Sequence, residues 1–426
     1  MADGNGAGSS AGNGAGNGAG HGTGQGCLAG IRVLDLTQFE AGPSCTEVLA
    51  WLGAEVVKVE NPNGGDPGRL IHRPTPEAES SYFLLFNANK KSITVNLKSP
   101  RGLELVQGLA RRADVFVENF APGGIERLGL GYEAVRALNP GIVYAQVKGF
   151  GTGSPHEASL AFDMIAQACG GVMSVTGEAE GPPLKPGATL GDTGTGMLMA
   201  ISILGALLRR KETGHGERLE VAMQDAMLHY IRIAMAVTAN TGRAAPRAGA
   251  KVLGSSASPS GLYPCAPGGP NDYVYVYTSI ANPAHWHRLL EVLGHPELIG
   301  DPRFETREAR VEHEAQVDAL VSAWTRQRDK HEAMRVLGAA GIPAGAVLDT
   351  GELHADPDFE RRGILQVMRH PTRGDFKMPG WPVRHGGATP PVAPAPLLGQ
   401  HPAEVLADWL TLDAEQVATL RAEGVL

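Results

Sequence analysis

From residue 28 onward, short apolar runs alternate with longer segments that carry one apolar face. GIRVLDLT (30–37) places Ile31, Val33 and Leu34 before polar punctuation, the pattern of a buried strand. EAGPSCTEVLAWLGA (40–54) then reads as a turn and a helix. Pro43 suits a first helical turn, and Val48, Leu49 and Leu52 form the apolar stripe. EVVKVE (55–60) is a second strand, closed by the glycine-rich loop NPNGGDPGR (61–69). Strand, helix and strand in that order make a β-α-β unit, and such units build parallel sheets. The rhythm continues through a strand at 92–97, a helix at 101–113 and strands at 114–120 and 141–151. The pattern therefore predicts an α/β large domain over 28–220 with a mostly parallel sheet. Ligands of such open sheets bind at the carboxyl ends of the strands.

The second half has a different texture. MLMAISILGALLRR (197–210) is apolar nearly all round, which marks a buried helix. A strand and a long helix fill 216–240, with 221–250 as a linking helix, and 242–271 reads as loop. A strand at 273–279, helices at 285–294, 309–327 and 330–341, and an extended segment at 342–349 predict a smaller α+β domain over 251–350. Residues 351–426 return to the large domain and end in two short amphipathic helices.

Composition narrows the function classes. The 426 residues are 42% hydrophobic and 19% charged, as in ordinary globular chains. A net charge of −8 argues against a nucleic-acid partner. No uncharged apolar run reaches the ~18 residues of a membrane span. Cys27, Cys45, Cys169 and Cys265 are widely spaced with no CxxC pair, so neither a zinc knuckle nor a disulfide framework is indicated, and the expected compartment is the reducing cytoplasm. Residues 1–27 are dominated by glycine and small polar residues, without a signal-peptide core or an Arg-rich amphipathic stretch, and are expected to be a disordered tail.

Four places carry residues that could do chemistry. In GATLGDTGTGM (187–197), Asp192 lies among glycines directly before the apolar helix. Spacing alone makes it an N-cap. Glycines at 187, 191, 194 and 196 add a second reading, because glycine permits close approach of backbone to a ligand. A carboxylate at a helix start is also expected to stay ionised, as a nucleophilic carboxylate must. In LAFDMIAQACGGVMSVTGE (160–178), Asp163 and Gln167 share a helix face at i and i+4, and a solvated face or a cap is the simplest account. In DLTQFEAGP (35–43), polar residues cluster at a strand's carboxyl end, as either a turn or a ligand contact. Lys90, Lys91, Lys98, Asn119, Arg127 and Lys148 either solvate a surface or hold phosphates. There is no Walker A motif, and no G-x-G-x-x-G follows the first strand. His285 and His287 are two apart on a predicted helix and so lie on different faces, and no metal site is expected.

Taken together, the motifs resemble the class III CoA-transferases. They are GIRVLDLTQFEAGPSCTEVLAWLGAEVVKVE, NANKKSITVNLKSPRG, ADVFVENFAPGGIERLGLGYEAVRALNPGIVYAQVKGFG, DMIAQACGGVMSVTGE, LGDTGTGM, TGHGERLEVAMQDAML and APLLGQHPAEVL. The resemblance runs from about 28 to 426 and is strongest to the formyl-CoA transferase branch. It implies a Rossmann-like large domain and a ring-shaped subunit that interlocks with a second copy into a homodimer. It implies coenzyme A as a co-substrate, no prosthetic group, and transfer of CoA from an acyl-CoA to a small carboxylic acid.

The family's nucleophile falls on Asp192. Its CoA contacts fall on Gln38, Glu40, Ala41, Val95, Lys98, Asn119, Phe120 and Arg127, with Lys98 and Arg127 meeting phosphates. Its substrate-side positions fall on Glu40, Tyr82, Asp163 and Gly261. Asp192 would form first an acyl anhydride and then a CoA thioester, with the surrounding glycines supplying backbone N–H groups to the oxyanion. The chain departs from the branch at four points: Glu40 replaces a glutamine, Phe162 a tyrosine, Ile71 a tryptophan and Asn61 an arginine. LGSSASPSG (253–261) stands in for a mobile tetraglycine loop, with Pro259 stiffening it. These changes bear on acid specificity more than on transfer chemistry.

The alternatives are a 2-methylacyl-CoA racemase of the same family and a non-catalytic CoA-binding protein. The racemases place a His where this chain has Phe162, which cannot carry a proton. Retention of Asp192 among its glycines argues against a non-catalytic role.

Overall fold

The computed structural model describes residues 26–253, 257–279 and 281–426. Most of the expected tail and the centre of the 253–261 loop lie outside the described residues. Six strands form one parallel sheet: β1 (Arg32–Asp35), β2 (Glu55–Glu60), β3 (Lys91–Thr94), β4 (Val115–Glu118), β5 (Val143–Lys148) and β6 (Arg218–Ala222), in the order β3-β2-β1-β4-β5-β6. The chain winds outward from β1 to β3, then crosses back to β4 and winds the other way. This reversal opens a crevice at the carboxyl ends of β1 and β4, where ligands of doubly wound sheets sit.

The inner strands β1, β2, β4 and β5 are buried along almost their whole length because both faces are covered, whereas the edge strand β6 alternates exposed and partly buried positions. Alternate side chains go to opposite faces. Val33, Val56, Val115 and Val143 pack under α1 (Ala41–Trp51), with Met199 and Ile203 from a later helix. Leu34, Val57, Ile93, Phe116 and Tyr144 form the other layer. Helix α2 (Ser81–Asn87) packs against α1, whereas α3 (Pro100–Ala110), α4 (Gly124–Arg127) and α5 (Tyr132–Leu138) lie on this second side.

After β5 come α6 (Asp163–Cys169) and α7 (Thr195–Thr213); after β6 come α8 (Met223–Tyr230) and α9 (Arg232–Thr241). The expected single helix after β6 is broken at Ile231, which leaves helical dihedrals at φ −94° and ψ 20°. With the turn before it, α7 has the length and apolarity of a membrane span, which the count of uncharged runs did not register. It lies against α1 and β5, with Met199, Ala200, Ile203 and Leu207 in the core.

A second, antiparallel sheet holds β7 (Ser260–Pro264), β8 (Tyr273–Tyr277) and β9 (Ala344–Ala346). The first of these strands falls inside the expected 242–271 loop. Helices α10 (Ala284–Leu293), α11 (Arg307–Glu312), α12 (Glu314–Thr325) and α13 (Lys330–Ala339) surround it. The two middle helices replace one expected helix, interrupted at His313. Trp286, Leu289, Val317, Val321 and Leu337 form its core.

Short helices α14 (Thr350–Ala355) and α15 (Pro357–Arg361) then lead to a hairpin, β10 (Leu365–His370) and β11 (Gly374–Pro379), that periodicity did not reveal. Its Met368 and Met378 pack on Trp51, Phe83 and Leu84. The chain ends in α16 (Pro402–Leu410) and α17 (Ala414–Ala422), whose Val405, Leu406, Trp409 and Leu420 join the layer beneath α3.

Candidate functional site

The crevice is built from the segments that leave the carboxyl ends of β1 and β4. Gln38 and Asn119 clasp each other across it: Asn119 Nδ2 donates to Gln38 O at 2.8 Å, and Gln38 N–H donates to Asn119 Oδ1 at 2.8 Å. Phe39 turns the chain with φ +60°, a left-handed conformation that non-glycine residues seldom adopt. Glu40 is thereby carried into the base of the crevice, 3% exposed.

Asp192 comes from the opposite side. Leu190–Gly194 form a single π turn that runs straight into α7. Single π turns recur at functional positions. Asp192 is therefore inside a helical turn and caps nothing with its side chain, unlike the N-cap that spacing alone allows. Two of the glycines around it, Gly191 and Gly196, are packed against the protein's own backbone. A Cβ on Gly191 would lie 2.6 Å from the Asp163 carbonyl oxygen, and one on Gly196 would lie 2.7 Å from that of Ala41. Close approach is thus made to the protein's own backbone. The Gly191 N–H is also committed, donating to Asp163 Oδ1 at 2.9 Å, so it is no free donor for an oxyanion.

Asp163 and Gln167 are buried rather than solvated. The Gln167 amide donates to both Asp163 oxygens at 2.9 and 2.8 Å, and Lys185 Nζ lies 3.2 Å from Oδ2. Thr193, next to Asp192, donates its hydroxyl to Glu40 Oε1 at 2.8 Å. Tyr82, on α2, is half-buried and hydrogen-bonds Glu40 as well. Burial, Glu40 and Asp192 all push its phenol upward, so it remains a neutral O–H.

These neighbours govern Asp192. Burial, then the Glu40 and Asp163 carboxylates, raise its pKa from 3.8 to about 7, while Lys185 pulls the other way. The expectation of a carboxylate kept ionised by a helix start is corrected here: desolvation and two like charges outweigh a helix terminus. Perturbation of this kind marks groups in functional clefts.

Two cavities meet in the crevice. One of about 360 Å³ is lined by Gln38, Phe39, Glu40, Ala41, Phe120 and Asp192, among others. A second, of about 260 Å³, is lined by Gln38, Asn61, Val95, Lys98 and Phe120. Gln38 and Phe120 belong to both, so the two are lobes of one groove across the strand-order reversal. Lys98 stands exposed on the lining of the second lobe, and Arg127 is exposed nearby in sequence to Phe120 and Leu128 but lines neither lobe; neither has a carboxylate partner among the described residues. The rest of the basic set is committed elsewhere: Lys90 is buried on Asp35, Lys91 pairs with Glu55 and Glu404, and Lys148 pairs with Glu118. Gly261 is not brought to the groove; it sits on β7, paired with Val276 in the second sheet.

The sequence profile of CoA-transferase family III matches residues 28–402. The chain belongs to CoA-transferase family III. The transferase is 42% identical over 412 residues to a protein of Streptomyces avermitilis named formyl-CoA:oxalate CoA-transferase, covering 94% of this chain and 99% of that one. It is 37% identical over 418 residues to one of the same name from Rhodopseudomonas palustris, covering 94% and 97%. Among solved structures it is similar to a CaiB/BaiF family protein of Brucella suis, at TM-score 0.78 and 30% identity over 90% of this chain and all of that one. Coenzyme A is the co-substrate of this family.

Two residues beside Asp192 escaped the sequence reading. Thr193 had no signal beyond adjacency. Lys185 had one: it is the only lysine or arginine between Lys148 and Arg209.

Proposed function

We propose that the transferase moves CoA from a small acyl-CoA, of formyl-CoA or succinyl-CoA type, to a small carboxylic acid such as oxalate, with Asp192 as the covalent carrier. The observation that carries this reading is the half-buried Asp192 carboxylate on the wall of a groove whose far lobe is lined by the exposed, uncommitted Lys98. The relatives' names supply the acid and the donor to try first.

An Asp192 carboxylate oxygen attacks the thioester carbonyl, the C–S bond breaks, and the CoA thiolate leaves a mixed anhydride. The thiolate attacks the aspartyl carbonyl, releasing the donor acid and leaving an aspartyl-CoA thioester. The acceptor carboxylate then attacks that carbonyl and frees the thiolate again. Attack of the thiolate on the acceptor's acyl carbon yields the new acyl-CoA and restores Asp192. Each step exchanges one acyl leaving group for another and needs no net proton. Gln38, Ala41, Val95, Asn119 and Phe120 line the path of the CoA arm, and Lys98 and Arg127 meet its phosphates. Tyr82, Glu40 and Asp163 face the reacting carboxylate, with the Tyr82 hydroxyl as a donor near the developing oxyanion.

The same reading assigns residues 28–220 and 351–426 to the CoA-binding unit and places the chain in the cytoplasm as a homodimer of interlocked rings. Support for an oligomer comes from apolar side chains left on the outer helices: Ile201 and Leu208 on α7, Leu228 on α8 and Ile233 on α9 are all exposed. Sedimentation that gives a monomer at every concentration would remove the dimer. Phe162 argues against racemisation, since it offers no proton at the α-carbon. The test of function is a matrix of acyl-CoA donors against free acids, read by mass spectrometry. The reading expects new acyl-CoA only when both partners are present; hydrolysis alone, or no exchange with any pair, would overturn it.

A further inference from the structure

Three consecutive residues of the groove are each tied to a different element. Gln38 is clasped by Asn119 at the end of β4, and Glu40 is held by Thr193 beside Asp192. Between them, Phe39 holds its left-handed dihedral, and its N–H donates to Asp66 Oδ1 at 3.0 Å. Asp66 lies in the 61–70 loop and is 2% exposed.

The other side of that carboxylate is a buried chain of alternating charge. Lys58 Nζ lies 2.8 Å from Asp66 Oδ2 and donates to Thr37 O at 2.7 Å. Thr37 donates its N–H and hydroxyl to Asp35 Oδ1 at 2.8 and 2.5 Å. Asp35 Oδ2 accepts from Thr46 at 2.6 Å and from Lys90 at 3.2 Å. The loop is pinned too: Asp66 N–H donates to Glu60 Oε2 at 3.0 Å, and Glu60 receives both Nε and Nη2 of Arg69 at 2.8 Å. Asp35, Lys58, Asp66 and Lys90 are each at most 4% exposed. Ion pairs this deep are weak devices for stability, since desolvation offsets most of their attraction, and their attested use is to fix one arrangement against others. Here they terminate on Asp66 Oδ1, which accepts from the Phe39 N–H and from the Gly68 N–H at 2.8 Å.

We propose that Asp66 is a positioning residue for CoA binding: held by Lys58, it fixes the left-handed Phe39 turn that sets Gln38 toward the CoA lobe and Glu40 toward Asp192. The inference rests on the groove being the CoA site. It does not rest on the covalent chemistry, so its test reads affinity for CoA itself.

The experiment compares two neutral versions of the strap, Lys58→Met with Asp66→Asn and Lys58→Met with Asp66→Ala. Both lose the Lys58–Asp66 charge pair, but only asparagine keeps an oxygen for the Phe39 N–H. Calorimetric titration with CoA is expected to find the asparagine version within about threefold of the native Kd and the alanine version weaker by about tenfold or more, since alanine leaves the Phe39 and Gly68 N–H groups without their acceptor. Phe39→Gly supplies the decisive control, because glycine holds a positive φ without assistance. On a Phe39→Gly background, removing the Asp66 acceptor is expected to change CoA affinity by less than about twofold, the coupling a double-mutant cycle isolates. Equal affinity of the asparagine and alanine versions, or an undiminished alanine penalty on the glycine background, would overturn the proposal. If the Lys58→Met background yields too little folded protein, Asp66→Asn against Asp66→Ala with Lys58 retained makes the same comparison. No CoA binding even by the native chain would instead remove the reading of the groove.

Discussion

Thr193 hands its hydroxyl to Glu40 at 2.8 Å, so the residue beside the proposed nucleophile is bonded to a second, buried carboxylate. This pairing keeps Glu40 close to Asp192 and contributes to holding the Asp192 pKa near 7. If the ionised form attacks, kcat/KM rises with pH along a limb near 7. Glu40→Gln keeps an oxygen for Thr193 and removes the charge, so the limb should move to lower pH. Lys185→Met removes an opposing cation, so its limb should move to higher pH. A pH–rate series on the three proteins measures both signs.

The same carboxylate lowers stability at high pH. A folded pKa of about 7 against 3.8 means that protonation favours the folded state. That contribution is fully present below about pH 4 and is lost as pH rises through 7. Asp192→Asn should therefore unfold at higher denaturant than the native chain at pH 8, with the gap closing by pH 4. The full shift from 3.8 to about 7 would carry roughly 4 kcal/mol; solvent screening in an open groove reduces the expected gain to ~1 kcal/mol. Urea titrations at the two pH values provide the check.

Gly191 leaves no room for a side chain, because the Asp163 carbonyl oxygen would lie 2.6 Å from its Cβ. Gly191→Ala must push the π turn off α6 and strain the 2.9 Å bond from Gly191 N–H to Asp163. A loss of about 1–3 kcal/mol in stability is expected, with a larger proportional loss of kcat than of CoA affinity. Thermal melts alongside steady-state kinetics separate the two.

Asn119 closes the crevice by two hydrogen bonds to the Gln38 backbone. Asn119→Ala leaves that N–H and carbonyl without partners and should weaken CoA binding by about tenfold, at ~1.4 kcal/mol. Calorimetry with CoA reads it directly.

Much of this site was legible in the sequence, and the reasons for the remainder are physical. Strand and helix periods located the parallel sheet and the polar positions at its strand ends, because the inner strands are covered on both faces. The hairpin at 365–379 was invisible because its exposed, mixed residues show no period: only Met368, His370 and Met378 are buried. Gln167 looked like a surface partner of Asp163, since i, i+4 spacing does not say which way a helix face points. The buried role of Lys90 was hidden for a similar reason, since its partners Asp35, Thr46 and Asn87 come from other elements. Glycine spacing located the Asp192 turn, but it cannot tell approach to a ligand from the packing of Gly191 against Asp163.

The most direct test of the account is trapping. Hydroxylamine is added while the transferase turns over a donor–acceptor pair found active in the exchange matrix, and the peptide bearing Asp192 is examined by mass spectrometry. The account expects a hydroxamate at Asp192, formed only in the presence of acyl-CoA and absent from Asp192→Ala. An unmodified Asp192 during sustained turnover, or full exchange activity in Asp192→Ala, would contradict it.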